Sequence, residues 1–84
     1  MKLGDALKEL VHRSRKTQKS LAIEAGYKTV SSISTPIAKN DMHVSTLIRL
    51  ANAAGYDLML VRRYAVEPEA PIRIDLPIEE YQDK

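Results

Sequence analysis

The stretch TQKSLAIEAGY, residues 17–27, decides the fold of this chain. Thr17 carries a hydroxyl that can accept a hydrogen bond from the free N–H groups of a first helical turn, so it is a candidate N-cap. Gly26 reaches the left-handed region without strain and is typical of a residue that ends a helix. The stretch therefore predicts a helix from about residue 18 to residue 25, with Leu21 facing the core.

Three further helices are predicted from apolar residues that recur at helical spacing. The first covers about residues 3–13, and the last runs from Val44 to Ala54. Between them, Thr29 can cap a third helix over about residues 30–38. Pro36 lies inside that helix and removes a backbone donor, so we expect the helix to be disturbed there. The apolar side chains expected on the inward faces are Leu3, Leu7, Leu10, Val11, Ala25, Val30, Ile33, Ile37, Leu47, Ile48, Leu50, Ala51 and Ala54.

The second and third predicted helices are separated by a turn of three or four residues that contains Gly26. Such a pair is a helix-turn-helix, whose second helix can enter the major groove of DNA by its N-terminal end. Ala22 is small where the third helix is expected to cross the second. The start of the second helix, at Thr17 and Gln18, offers free N–H groups that favour a phosphate.

After residue 55 the sequence changes from helical to strand character. Residues 56–61, YDLMLV, form a continuous apolar run of strand length, and such a strand is expected to be covered on both faces. From Ile72 to Ile78, apolar and other residues alternate, which predicts a half-buried edge strand. Paired as a hairpin, the two strands would leave a face for a dimer interface, or the hairpin would fold over its own four helices. The predicted interface residues are Leu58, Met59, Leu60, Val61, Ile72 and Ile74.

The 84 residues predict one compact unit, with a helix-turn-helix domain over residues 1–55 and a β extension with an acidic tail over residues 56–84. Residues 1–64 hold eleven Lys/Arg and five Asp/Glu, a net charge of +6, whereas residues 65–84 hold two and six, a net charge of −4. A basic body suggests a polyanionic partner such as nucleic acid. The acidic residues of the tail, which could bind a protein partner, are Glu67, Glu69, Asp75, Glu79, Glu80 and Asp83.

Enzyme and membrane functions find little support in the sequence. The chain has no cysteine, its three glycines are scattered, and His12 and His43 lack the spacing of metal ligands. We therefore expect no catalytic residues, no metal and no cofactor. No apolar run approaches the roughly 20 residues of a membrane span, and the first residues lead into an amphipathic segment rather than a signal peptide. We expect a cytoplasmic protein.

The motifs Thr-Gln-x-x-Leu-Ala-x-x-x-Gly at residues 17–26 and Leu-Ala-x-Ala-x-Gly at residues 50–55 resemble the lambda repressor/Cro-like, or Xre-type, helix-turn-helix family. The resemblance covers about residues 3–60. It implies a mostly α, compact four-helix DNA-binding domain, usually dimeric, that regulates transcription in a prokaryote or a phage. In place of the family's Ile-Ser-x-x-Glu-x-Gly, this chain has Ile33–Asn40, with Pro36 inside it. Asn40 can replace the glycine because asparagine tolerates the left-handed conformation.

Two sets of DNA-binding residues are predicted. The set predicted to read bases offers serine and threonine hydroxyls, which can pair with either base type. It lacks Arg, Asn and Gln, so we expect modest direct readout. Phosphates and DNA shape would supply the larger share. The residues predicted to read bases are Lys28, Thr29, Ser31, Ser32 and Thr35. The residues predicted to contact phosphates are Arg13, Arg15, Lys16, Thr17, Gln18, Lys19, Lys39 and Asn40.

The sequence thus favours a dimeric repressor that binds an operator in double-stranded DNA. One alternative is the antitoxin of a toxin–antitoxin pair, which binds its operator and also a toxin. The other is a degenerate helix-turn-helix that serves only as a protein-interaction module, which Pro36 and the weak set of base-reading residues keep open.

Overall fold

The computed structural model describes residues 1–63 and 69–76. These residues form four helices, α1 (Leu3–Ser14), α2 (Gln18–Glu24), α3 (Ser31–Lys39) and α4 (Val44–Ala53). They also form two short strands, β1 (Leu58–Leu60) and β2 (Ile72–Ile74), which pair antiparallel. The predicted mostly α chain with a two-strand extension is confirmed, and the part of the second predicted strand beyond residue 76 lies outside the described residues.

One cluster of buried side chains holds the four helices together. Leu7 of α1, Leu21 of α2, Ile33 of α3 and Leu50 of α4 are all at most 2% exposed. Burying an aliphatic side chain of this size contributes about 1.5–3 kcal/mol. Ala22 is fully buried, which agrees with its predicted position where helices cross closely. Partly buried side chains that surround the cluster are Leu3, Leu10, Val11, Ala25, Tyr27, Ile37, Met42, Leu47, Ala53 and Ala54.

The ends of α2 follow the predicted signals. The Oγ1 atom of Thr17 accepts a hydrogen bond from the backbone N–H of Ser20 at 3.0 Å, so Thr17 is the N-cap. Gly26 has a φ of 98°, the left-handed region that favours glycine. The N–H of Tyr27 then donates to the carbonyl oxygen of Ala22 at 2.9 Å, which closes the helix end.

The start of α3 differs from the prediction in three ways. The turn after α2 is six residues long, 25–30, rather than three or four. Thr29 does not cap α3, because its hydroxyl bonds to the Ser31 hydroxyl at 2.6 Å and the N-cap position is held by Val30 without a side-chain bond. Val30 is 37% exposed rather than inward, because it precedes the helix and is not held on the inward face.

Pro36 neither ends α3 nor divides it. The helix continues for three residues beyond Pro36, and the Pro36 carbonyl accepts a bond from the Asn40 N–H at 2.7 Å. Asn40 ends the helix in the left-handed conformation, as predicted, with a φ of 58°. Its Oδ1 atom accepts a hydrogen bond from the Gly4 N–H at 2.9 Å, which joins the end of α3 to the start of α1.

The sheet is less covered than its sequence predicts. Leu58 lies opposite Ile74, and both are half-buried where β1 packs against α4. Leu60 and Val61 are exposed, so the prediction of cover on both faces is wrong within a single chain. The physical reason is that the four helices already close their own core. None of the helices in residues 1–63 and 69–76 has the length and apolarity that a membrane span requires.

Candidate nucleic-acid interface

The outer face of α3 is a polar surface of small side chains. With 100° per residue, Ser31, Thr35 and Ala38 fall on the side opposite the buried Ile33. All three are exposed, and Ser34 is exposed beside them. This outer face of α3 is therefore made of small side chains, most of which carry a hydroxyl.

The hydroxyls at the start of α3 differ in what they can offer. Ser32 is half-buried, and its Oγ donates to the Thr29 carbonyl at 3.2 Å, so this predicted reader is turned toward the preceding turn. Thr29 and Ser31 share one bond between their hydroxyls, and either oxygen can be the donor. Since only one proton is used in that bond, the pair keeps one hydroxyl proton for a base or a phosphate.

Ser34 and Ala38 were not among the predicted readers, although both lie on the exposed side of α3. The prediction placed the readers near the start of the helix and did not follow the helix to its end. The signal was present in the sequence, because positions 34 and 38 fall three and seven residues after Ser31 and therefore share its side of the helix.

Lysines flank this face at both ends. Lys28 precedes α3 and Lys39 is its last residue, and both side chains are exposed. The sequence of α3, SSISTPIAK, contains no acidic residue. An elongated anion lying along the helix would therefore meet a positive charge near each end.

A groove of about 530 Å³ runs between α3 and the start of α4. It brings Ser32 and Thr35, predicted base readers, together with Lys39, a predicted phosphate contact. Asp41 contributes a negative charge to the same groove. The sequence had not indicated the remaining lining residues as part of a site; they are Tyr27, Pro36, Met42, His43 and Thr46.

Two of the predicted phosphate contacts have partners within the protein. The Nζ atom of Lys16 lies 2.6 Å from Oε1 of Glu24 and 3.3 Å from the Ala53 carbonyl, which attaches it to α2 and to the end of α4. That hydrogen bond from Lys16 lowers the pKa of the Glu24 carboxyl below its usual range. Asn40 accepts the Gly4 N–H with its Oδ1 atom, and its amide NH2 group, which could donate to a phosphate, takes no part in that bond.

Arg13 also has protein partners. Its Nε atom lies 2.8 Å from Oε2 of Glu9, one turn earlier on α1. Hydrogen bonds to Glu9 and then to Tyr56 raise the pKa of the guanidinium, which is a cation at any physiological pH in either case. Since the pair with Glu9 is exposed, it does not prevent an exchange of partners with a phosphate.

The remaining phosphate candidates lie around the start of α2. Arg15 is exposed at the end of α1 with a φ of 60°, an unusual conformation for a residue with a side chain. Lys19 is exposed, and Gln18 is half-buried. The Thr17 hydroxyl is occupied by the Ser20 N–H, so it can serve a phosphate only through its remaining proton.

Metal-binding groups are a further kind of site that the described ranges could contain. No group of three His, Cys, Asp or Glu side chains in residues 1–63 and 69–76 could hold a metal ion. Comparison of the chain with protein-family models, with curated proteins and with solved structures gave no match.

Proposed function

We propose that this protein is a sequence-specific double-stranded-DNA-binding regulator of transcription, which acts as a dimer and represses by occupying an operator. The observation that carries the proposal is the outer face of α3. It presents small and hydroxyl-bearing side chains to solvent between two exposed lysines, directly after the capped helix α2.

The chemistry of this face suits the major groove, which admits an α-helix. Small side chains allow the helix backbone to approach the bases closely. The hydroxyls of Ser31, Ser34 and Thr35 can donate to or accept from base edges, and the methyl groups of Thr35 and Ala38 can contact a thymine methyl. Lys28 and Lys39 would neutralise phosphates on either side, which supplies affinity without sequence preference.

The family that the sequence resembles supports the same proposal. The order of helices and the capped, glycine-ended α2 agree with a lambda repressor/Cro-like helix-turn-helix. We include in the proposal the lambda repressor-like arrangement of the four helices and action in the cytoplasm of a prokaryotic cell, where a phage or mobile element could also encode the protein.

The test is selection of bound duplexes from a random DNA pool with the purified protein at about 150 mM salt, where non-specific binding is weakened. We expect an inverted repeat whose half-sites are about one helical turn, or roughly 10 base pairs, apart. Salt-sensitive binding without any enriched sequence would refute a sequence-specific regulator.

Three variants assign roles once a bound sequence is known. Thr35→Ala should change which base is preferred, by about 1–3 kcal/mol at one position. Lys39→Ala should weaken binding to all sequences alike and reduce the salt slope by about one. Lys8→Ala, which removes an exposed lysine from α1, is the matched control and should do neither.

A second candidate function is protein interaction, favoured by two exposed apolar side chains on the helix-turn-helix itself. Ile23 of α2 is 52% exposed, and Val30 stands exposed before α3. Such side chains would suit a protein partner, either for an interaction module or for an antitoxin that also binds DNA. Most of the acidic tail proposed for a partner lies outside the described residues, with Glu69 and Asp75 inside them. Failure of the DNA selection would favour this candidate.

A further inference from the structure

The register of the sheet separates its side chains into an apolar face and a mixed face. Leu58 lies opposite Ile74 and Leu60 opposite Ile72, so these four share one face. Leu60 is 56% exposed and Ile72 is 63% exposed. A two-stranded sheet of three-residue strands is marginal in water by itself, because it covers too little of its own apolar surface. The exposed end of this face therefore requires a further layer or further strands.

Both strands of this two-stranded sheet are edge strands in the described residues, and they differ in their contact with the helices. β1 packs against α4, while β2 pairs on one side with β1 and has no second strand beside it among residues 1–63 and 69–76. An edge strand presents unpaired N–H and C=O groups and is a template for another strand. The charges of Arg73 on β2 and of Asp75 just beyond it indicate which strand can pair with this edge.

In an antiparallel pair of identical strands, the residue on the two-fold axis determines every other pairing. With the axis at Ile74, Arg73 lies opposite Asp75 of a second copy, and Asp75 lies opposite the second Arg73. With the axis at Arg73 or at Asp75, two like charges face each other directly, which destabilises a strand pair. An axis at Ile72 places Arg73 opposite Pro71 and Asp75 opposite Glu69 of the second copy, which again brings two like charges together. Only the axis at Ile74 pairs both charges within residues 69–76.

We propose that two copies of this protein join through the outer edges of β2, antiparallel and with the two-fold axis at Ile74, into a four-stranded sheet. The inference specifies the dimer on which the proposed function rests. The pairing extends β2, which ends at Ile74 in the single chain, by two residues. Ile72 would then lie opposite Leu76 of the second copy, and the apolar face would continue across the axis. On the other face, Arg73 is already oriented, with its Nε atom 3.2 Å from Asp75 and its guanidinium 4.0 Å from Asp57.

The charges permit a test in which two defective variants repair each other. Arg73→Asp alone places two carboxylates opposite each other at both symmetric positions, and Asp75→Arg alone places two guanidinium groups there. Each single variant should raise the dissociation constant of the homodimer by about tenfold or more, since unfavourable cross-strand pairs replace favourable ones twice. An equimolar mixture should form a heterodimer of near-native affinity, because both cross-strand pairs then have opposite signs.

The mixture separates this interface from the contact within one chain. Each single variant also breaks the Arg73–Asp75 pair of its own strand, but mixing cannot restore an intrachain pair. Sedimentation equilibrium without DNA measures all of these species, with Lys8→Asp on α1 as the charge-matched control that should dimerise normally. Far-UV circular dichroism checks that each variant keeps its helices. If a single variant unfolds, Arg73→Gln and Asp75→Asn replace the charge reversals. Each should weaken the homodimer by removing both cross-strand charge pairs, and their mixture, which restores one of these pairs and no intrachain pair, should recover part of the affinity.

A native chain that stays monomeric at about 100 µM would overturn the proposal. Single variants that dimerise like the native chain, or a mixture that does not recover, would also overturn it. Because DNA is absent, this result does not depend on whether the protein binds DNA. A dimer that recovers on mixing but selects no DNA sequence would retain the interface and refute the regulator, whereas a monomer that selects a sequence would do the reverse.

Discussion

The helical body of residues 1–55 buries a cluster of apolar side chains, whereas the sheet of β1 and β2 leaves several of its apolar side chains exposed. In the body, Ile33 is 0% exposed in a cluster to which all four helices contribute. In the sheet, Ile72 is 63% exposed, although it is the same residue type as Ile33. The body thus buries its apolar cluster within a single chain, whereas the sheet leaves Leu60 and Ile72 exposed. The same residue type can therefore serve folding in one region and association in the other.

The strongest test of this contrast is one substitution made in both regions. Ile33→Ala should lower the free energy of unfolding by about 2–5 kcal/mol, because it removes a buried side chain and leaves a cavity. Ile72→Ala should lower it by less than about 1 kcal/mol in dilute solution, where the side chain is largely in water. Urea denaturation at low protein concentration measures both. Similar losses would show that the sheet belongs to the core of a single chain.

The contact between α1 and α3 should respond next most strongly. A Cβ atom on Gly4 would lie 2.5 Å from the Ile37 carbonyl oxygen and 2.7 Å from Oδ1 of Asn40. We expect Gly4→Ala to lower the free energy of unfolding by roughly 1–3 kcal/mol, because the backbone carbonyl cannot move aside without shifting α3. This loss opposes the gain of about 1 kcal/mol that alanine normally gives over glycine in a helix.

The reverse substitution on the exposed side of the same helix is the control. Ala6→Gly should lose only the propensity term of about 1 kcal/mol, since Ala6 is exposed. Thermal unfolding of the two variants beside the native chain gives the comparison. If Gly4→Ala were stabilising, α1 and α3 would have to lie farther apart than the Gly4–Asn40 hydrogen bond indicates.

Local signals in the sequence predicted most of the helical body. Thr17 and Gly26 act within a few residues of themselves, so α2 ends within one residue of its prediction. Periodicity likewise identified Leu7 and Leu50 as core residues. The spacing of apolar residues along one helix predicts its inward face even when the residues that it contacts are unknown. The start of α3 also lies within one residue of its prediction, but the predicted cap at Thr29 is wrong, since no side chain caps this helix.

The features that the sequence did not predict depend on contacts between residues far apart in the chain, or on a partner outside it. The Gly4–Asn40 bond joins residues 36 positions apart. The lysines of the candidate site look alike in sequence, but the structure pairs Lys16 with Glu24 and leaves Lys39 beside a groove. In the sheet, an apolar run such as residues 58–61 reads the same whether its cover comes from its own helices or from a second chain.

Two threonines that both resemble N-caps allow a smaller test within the body. Thr17→Ala should lower the free energy of unfolding by about 1 kcal/mol, because it removes the acceptor of the Ser20 N–H. Thr29→Ala should change it by less than about 0.5 kcal/mol, because the Thr29 side chain caps nothing. In DNA binding the order should reverse if Thr29 contributes to base readout, and the selection experiment measures that. Equal losses of stability would contradict the hydrogen bonds of the two side chains.

The smallest expected effect concerns Glu24, whose partner Lys16 also bonds to the end of α4, where the body leads toward the sheet. The hydrogen bond from Lys16 lowers the pKa of Glu24 from its ordinary value of 4.5. Stability from a lowered carboxyl pKa is present above the ordinary value and is lost as the pH falls through the lower, folded value. Glu24→Gln should therefore be slightly less stable than the native chain at pH 7, and the stabilities of the two should become equal in acid. The difference in stability should be small because the Lys16–Glu24 pair is exposed to solvent. The same variant frees Lys16, so its non-specific DNA binding should depend more steeply on salt, whereas an unchanged slope would mean that Lys16 faces away from the DNA.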